Sequence, residues 1–133
     1  MTRFWISLDQ GVAFVLSCME LTQGGEIFVP KIPATLVTDL ATAMAPKTKQ
    51  AVIGIRPGEK LHEMMISADD ARSTYELDDR YVIEPEFAEY TRKSFSKVRG
   101  IKKVPEGFSY ASDNNEERLD ADGIRAMMKA YLG

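Results

Sequence analysis

Residues 51 to 66 constrain the fold more than any other stretch. An apolar, β-prone run, Ala51-Val52-Ile53-Gly54-Ile55, breaks at Arg56-Pro57-Gly58-Glu59, and the following run from Lys60 to Ile66 has helical spacing. Arg56 precedes a proline and is pushed toward extended backbone, while Pro57, with its fixed φ, suits a first helical residue. The spacing therefore predicts a strand turning into a helix, with Arg56 beside free backbone N–H groups and the positive helix end, where an anion is favoured. An arginine fork can grip two oxygens of a nucleotide diphosphate. Glu59 can accept hydrogen bonds from ribose hydroxyls, although it would repel phosphate. By spacing alone, a capped helix with an exposed ion pair explains the same residues.

The rest of the first half also alternates strand and helix, the pattern of an α/β protein. Residues 3 to 8 read as a short strand, and Asp9 as the cap of a helix carrying Val12, Val15, Leu16 and Met19 and ending at Gly24-Gly25. Glu26 to Val29 reads as a strand closed by Pro30-Lys31-Ile32-Pro33, and Thr35 or Thr38 introduces a helix through about Met44 that Pro46 stops. In the second half, Tyr81-Val82-Ile83 reads as a strand ended by Pro85, residues 92 to 103 are basic, residues 104 to 118 form loop, and Leu119 to Leu132 a helix. There is no internal repeat.

A chain of 133 residues with 44% apolar and 28% charged residues suffices for one compact domain and is not disordered. Seventeen basic against twenty acidic residues, a net charge of −3, argue against general attraction to nucleic acid or an anionic membrane. One cysteine precludes an internal disulfide and fits a reducing compartment. No apolar run approaches the roughly 18 residues of a membrane span, and Met1 to Trp5 lacks the features of a secretory signal. A cytoplasmic location is the expectation.

Three separated motifs carry a resemblance: Met1-Thr2-Arg3-Phe4-Trp5-Ile6, Gly25 through Pro33, and Gly54-Ile55-Arg56-Pro57-Gly58-Glu59-Lys60-Leu61-His62-Glu63, with a fourth likeness at Phe108 to Asn115. Together they resemble the C-terminal part of the inverting UDP-N-acetylglucosamine 4,6-dehydratases, extended short-chain dehydrogenases/reductases that begin pseudaminic acid synthesis. The resemblance implies an α/β substrate-binding portion for a UDP-sugar, with a strand and helices that would complete a missing Rossmann domain. It implies a lyase that uses NADP to oxidise C4, eliminate water across C5 and C6 and return the hydride. It assigns diphosphate to Arg56, ribose to Glu59, and a second diphosphate contact to Arg3, which opens an arginine, strand, acidic residue and helix pattern at Arg3 to Asp9.

Two features of such enzymes are missing. The chain has no glycine-rich turn between a first strand and helix, so no cofactor site is expected in it. Nor has it a tyrosine followed four residues on by lysine: Ser94 follows Tyr90 and Asn114 follows Tyr110. No catalytic residue is therefore assigned. The resemblance implies a piece of a longer enzyme that needs an N-terminal cofactor domain, with residues 9 to 45 packing on it. The alternative is a non-catalytic nucleotide-sugar-binding or interaction module left from a truncated gene. Without the cofactor domain, Phe14, Val15, Ile27 and Val29 would face water, so a weakly stable or homo-oligomeric chain is expected.

Other signals read as structural. His62, the only histidine, lacks companions for a metal site and reads as an exposed helix position. Cys18 reads as a small core residue and Trp5 as core rather than a uracil-stacking ring. Asp69, Asp70, Asp78 and Asp79 lack calcium-loop spacing and read as a solvated acidic face. The basic residues Arg92, Lys93, Lys97, Arg99, Lys102 and Lys103 with Phe95 read as a solvated loop or subunit contact, not a nucleic-acid interface. Asn114 and Asn115 suit a turn through their tolerance of left-handed geometry.

Overall fold

The computed structural model describes residues 1–86, 94–98 and 100–132, with Tyr131 and Leu132 described by backbone alone. In chain order the elements are β1 (Thr2–Phe4), α1 (Leu8–Leu21), β2 (Ile27–Pro30), β3 (Ala34–Leu36), α2 (Val37–Met44), β4 (Met64–Ile66), β5 (Thr74–Glu76), β6 (Arg80–Ile83), β7 (Lys102–Lys103), β8 (Tyr110–Ala111), β9 (Arg118–Leu119) and α3 (Ala121–Leu132), with 3-10 turns at Asp70–Ser73 and Phe95–Lys97. The α/β class expected from the sequence holds. The chain divides into two compact units, one of Met1–Trp5, Ile32–Glu63 and Ala111–Gly133, the other of Ile6–Lys31 and Met64–Tyr110.

In the first unit a sheet of order β1-β3-β9 joins an antiparallel and a parallel pair, with Arg3 opposite Thr35 and Thr35 opposite Leu119. Thr35 is buried, and its hydroxyl donates to the Leu119 carbonyl at 2.8 Å, which ties the sheet's centre to its parallel edge. Ala34 and Ile124 are fully buried, and α2 packs on α3. Asn115 donates its amide to the Ile32 carbonyl at 2.7 Å, and Asn114 accepts the Ala111 N–H at 2.8 Å. These bonds make the turn before β9. The left-handed geometry expected of the two asparagines is not used, since no described residue other than glycine has positive φ.

In the second unit a four-stranded antiparallel sheet runs β2-β6-β5-β7, with Val29 opposite Tyr81 and Tyr75 opposite Val82. Its core holds Val29, Ile66, Val82 and Phe95, and Tyr81 lies within 5.2 Å of both the Phe108 and Tyr110 rings. Ser7 caps α1 through a reciprocal box with Gln10, a role the sequence reading had given to Asp9. The helix also stops at Leu21, before Gly24 and Gly25, whose positive φ values instead turn the chain into β2. Glu26 closes that turn, accepting from the Thr22 hydroxyl and the Gln23 and Gly24 N–H groups. Burial pushes its carboxyl up, but these hydrogen bonds together outweigh burial and hold it below the ordinary value.

Arg80 holds α1 to this unit. Its buried guanidinium donates to both Asp79 oxygens at 2.8 and 2.6 Å, to Ser17 Oγ at 2.8 Å and to Cys18 Sγ at 3.1 Å, and lies 4.7 Å from the centre of the Phe14 ring. Cys18 is thus half-buried and polar in its contacts, not the core residue expected. Burial raises its thiol pKa despite the nearby Arg80 charge. The rest of α1 is uncovered. The helix has no fully buried residue; Leu8, Val12, Val15 and Leu16 are exposed along a shallow apolar groove of about 650 Å³, and Met19 is exposed beyond it. Val15 and Ile27 face water as expected, whereas Val29 is buried and Phe14 lies half-buried beside Arg80.

Of the basic residues between 92 and 103, Arg92, Lys93 and Arg99 fall outside the described residues, as does Tyr90. Lys102 and Lys103 form exposed β7 beside Glu76 and Tyr75. No described helix is long and apolar enough to cross a membrane. Among the described residues no group of histidine, cysteine, aspartate and glutamate could hold a metal. Asp70 instead accepts from the Ser67 hydroxyl and N–H, which lowers its carboxyl pKa.

A candidate nucleotide site at the Arg56 turn

The strand and helix expected on either side of Arg56 do not form. Residues 51–55 join no sheet, and Val52 and Ile53 are 97% and 79% exposed. A β-prone run becomes a strand only where a neighbour offers donors and acceptors, and no described strand runs beside it. The helix fails for a complementary reason. The Leu61 carbonyl accepts the Thr2 N–H at 2.9 Å and the Glu63 carbonyl accepts the Ser112 N–H at 2.8 Å, so neither serves a helical turn. Met64–Ile66 is strand β4.

Arg56-Pro57-Gly58-Glu59 is a β-turn. The Glu59 N–H donates to the Arg56 carbonyl at 3.1 Å, proline occupies the second position, and Gly58 has φ of +84° at the third, the type II pattern that admits glycine there. Pro57 therefore supports a turn, not a helix start, and the anion attraction expected from a helix end is absent. The Glu59 carboxylate folds back to accept the Arg56 N–H at 2.9 Å. That leaves its other oxygen available and places the two residues of the pair together. The Arg56 guanidinium is exposed and bonds to no other group among the described residues. Lys47, Lys49 and Lys60 are exposed in the same segment, which also carries Arg56.

Arg3 stands in the same unit but is largely engaged. It donates through Nη1 to the Thr2 carbonyl at 2.6 Å and the Leu61 carbonyl at 3.4 Å, through Nη2 to the Lys60 carbonyl at 2.9 Å, and its Nε lies 3.3 Å from Glu63. Three guanidinium hydrogens are thus hydrogen-bonded to backbone carbonyls, and Nε adds an ion pair with Glu63. Arg3 thus clamps the far end of the Arg56 loop onto β1.

Behind that clamp lies a cluster that the sequence reading missed. Ser112 is fully buried, and its Oγ accepts the Glu63 N–H at 2.8 Å and lies 2.6 Å from Thr2 Oγ1, which in turn lies 2.8 Å from His62 Nδ1. His62 is exposed, as expected, but sits in the loop and not on a helix. Nothing local in the sequence signals this cluster, because its members are 60 and 110 residues apart. Trp5 is only half-buried, where core burial was expected; its N–H donates to the Pro33 carbonyl at 2.9 Å.

Comparison with known proteins agrees with the resemblance read from the motifs. Residues 1–85 match the family model described as polysaccharide biosynthesis protein. The inverting UDP-N-acetylglucosamine 4,6-dehydratase of Campylobacter jejuni subsp. jejuni serotype O:2 is 52% identical over 86% of this chain and 36% of its own length. The UDP-glucose 4-epimerase of Rickettsia canadensis is 34% identical over 96% of this chain and 38% of its own. Among solved structures, Pen from Bacillus thuringiensis superposes with a TM-score of 0.78 at 26% identity, covering 99% of this chain and 39% of that one. The chain thus spans little more than a third of the length of the curated relatives it matches. The two enzymes named above act on sugar nucleotides, and with the family model covering most of the chain, the protein belongs to the polysaccharide biosynthesis protein family.

Proposed function

We propose that this chain is the UDP-sugar-binding, C-terminal part of an inverting UDP-N-acetylglucosamine 4,6-dehydratase, in which Arg56 grips the diphosphate and Glu59 the ribose. The observation that carries this reading is the Arg56 turn: an exposed guanidinium with no partner among the described residues, on a glycine-proline turn closed by the Glu59 carboxylate. Arg3 adds its charge. Identity to a relative named for this activity supports the choice of substrate class. In the complete enzyme NADP would supply the hydride chemistry; this chain would bind and orient the nucleotide. Calorimetry with UDP should give saturable binding to the chain, and adding NADP with UDP-N-acetylglucosamine should give no turnover. Absence of UDP binding at millimolar concentration would overturn the reading.

The uncovered side of α1 fits the same proposal. In the complete enzyme the cofactor-binding part would cover Val12, Leu16 and Met19, and each fully buried side chain of this kind contributes about 1.5–3 kcal/mol. Left bare, such a face drives association. In sedimentation, the isolated chain should self-associate as its concentration rises through the micromolar range, and Leu16→Glu should shift it toward monomer. A wild-type chain that stays monomeric and melts cooperatively would count against an unsatisfied packing face.

A further inference from the structure

Glu63, Ser112, Thr2 and His62 form a hydrogen-bonded chain whose direction can be worked out. Ser112 Oγ accepts the Glu63 N–H at 2.8 Å, and Ser112 is fully buried. Its own hydrogen needs an acceptor, and the one within reach is Thr2 Oγ1 at 2.6 Å. The Thr2 hydrogen must then go to His62 Nδ1, 2.8 Å away. Reversing the order would make Ser112 accept twice and strand the hydrogen of a fully buried hydroxyl, a costly arrangement. Nδ1 is consequently an acceptor, and in neutral imidazole the proton sits on Nε2.

A surface histidine usually turns freely. Here the ring is fixed by buried hydroxyls, three residues beyond Glu59, in a loop clamped by Arg3 and lined with exposed Lys47, Lys49, Arg56 and Lys60. Resting on the nucleotide reading above, we infer that His62 is a third ligand-contacting residue of the site, a neutral donor whose Nε2–H meets an oxygen of the bound nucleotide. A neutral donor suits a site already rich in positive charge, because it adds direction without further desolvation of a cation.

Since His62 is the only histidine in the chain, its two ring nitrogens give one unambiguous pair of NMR signals. At neutral pH the wild-type protein should show the Nε2–H tautomer, and Thr2→Val, or Ser112→Ala should Thr2→Val not fold, should mix the tautomers. Saturating UDP should then move the Nε2 resonance, and His62→Phe should weaken UDP about fivefold, the typical loss of one neutral hydrogen bond. His62→Gln, which keeps a donor, should recover part of that loss. A predominantly Nδ1–H ring would overturn the inference. So would UDP binding that leaves both ring nitrogens unmoved, an outcome that spares the Arg56 reading; a wild-type chain that binds no UDP would remove both.

Discussion

Arg56→Ala should weaken UDP binding by about ten- to a hundredfold while leaving the thermal melt unchanged. The first half of this expectation follows from chemistry: a charge-assisted hydrogen bond to phosphate contributes roughly 1.5–3 kcal/mol. The second half follows from position. The guanidinium is exposed and bonds nothing else among the described residues, and only the backbone N–H and carbonyl of Arg56 take part in the turn. Loss of affinity would therefore report a direct contact and not a damaged fold. Arg56→Lys should recover little of it, since a single ammonium keeps the charge but not the two-pronged grip. Calorimetry with UDP at fixed ionic strength reads both. Equal affinities for wild type and Arg56→Ala would remove Arg56 from the site.

Arg80→Met should cost about 2–4 kcal/mol of stability. The side chain is 5% exposed and ties β6 to α1 through Ser17 and Cys18. Methionine fills similar volume but leaves Ser17 and Cys18 without their donor. Breaking a fully buried ion pair costs about 3–5 kcal/mol. Asp79 lies 65% exposed and can return to water, which brings the expected loss below that of a fully buried pair. Urea unfolding followed by far-ultraviolet circular dichroism measures it. A midpoint unchanged from wild type would show that Arg80 decorates the helix and does not hold it.

The same pair sets a dependence on pH. Hydrogen bonding to Arg80 holds the Asp79 carboxyl below its ordinary value. Its contribution to stability is thus present above the unfolded value, near pH 4, and lost as pH falls through the depressed folded value. In Arg80→Met that acid-side loss should shrink, so the two proteins should differ less in stability at low pH than at neutrality.

The parts of the fold legible in the sequence were those that depend on neighbours in the chain. α2, α3, β2 and β6 appear where periodicity placed them, within a few residues. What failed did so where distant groups intervened. The Lys60–Ile66 run has helical spacing, but Thr2 and Ser112 claim the carbonyls a helix would need. The Ala51–Ile55 run has strand composition, but strand pairing requires a partner the local sequence cannot supply. β3 went unread because it is three residues long and lies against a proline-rich turn.

The candidate site divides along the same line. Arg56, Glu59 and the glycine-proline turn between them are four consecutive residues, and their pairing is a local matter of φ, a short hydrogen bond and a folded-back carboxylate. The sequence by itself determined that pair and the family it belongs to. Tertiary structure alone decided that Arg3 clamps the loop and that Ser112 and Thr2 orient His62, since those contacts join residues some 50 to 110 positions apart. Chain-local geometry is written in adjacent side chains; the partners of a buried hydroxyl or a carbonyl are chosen only when the sheet folds and excludes water.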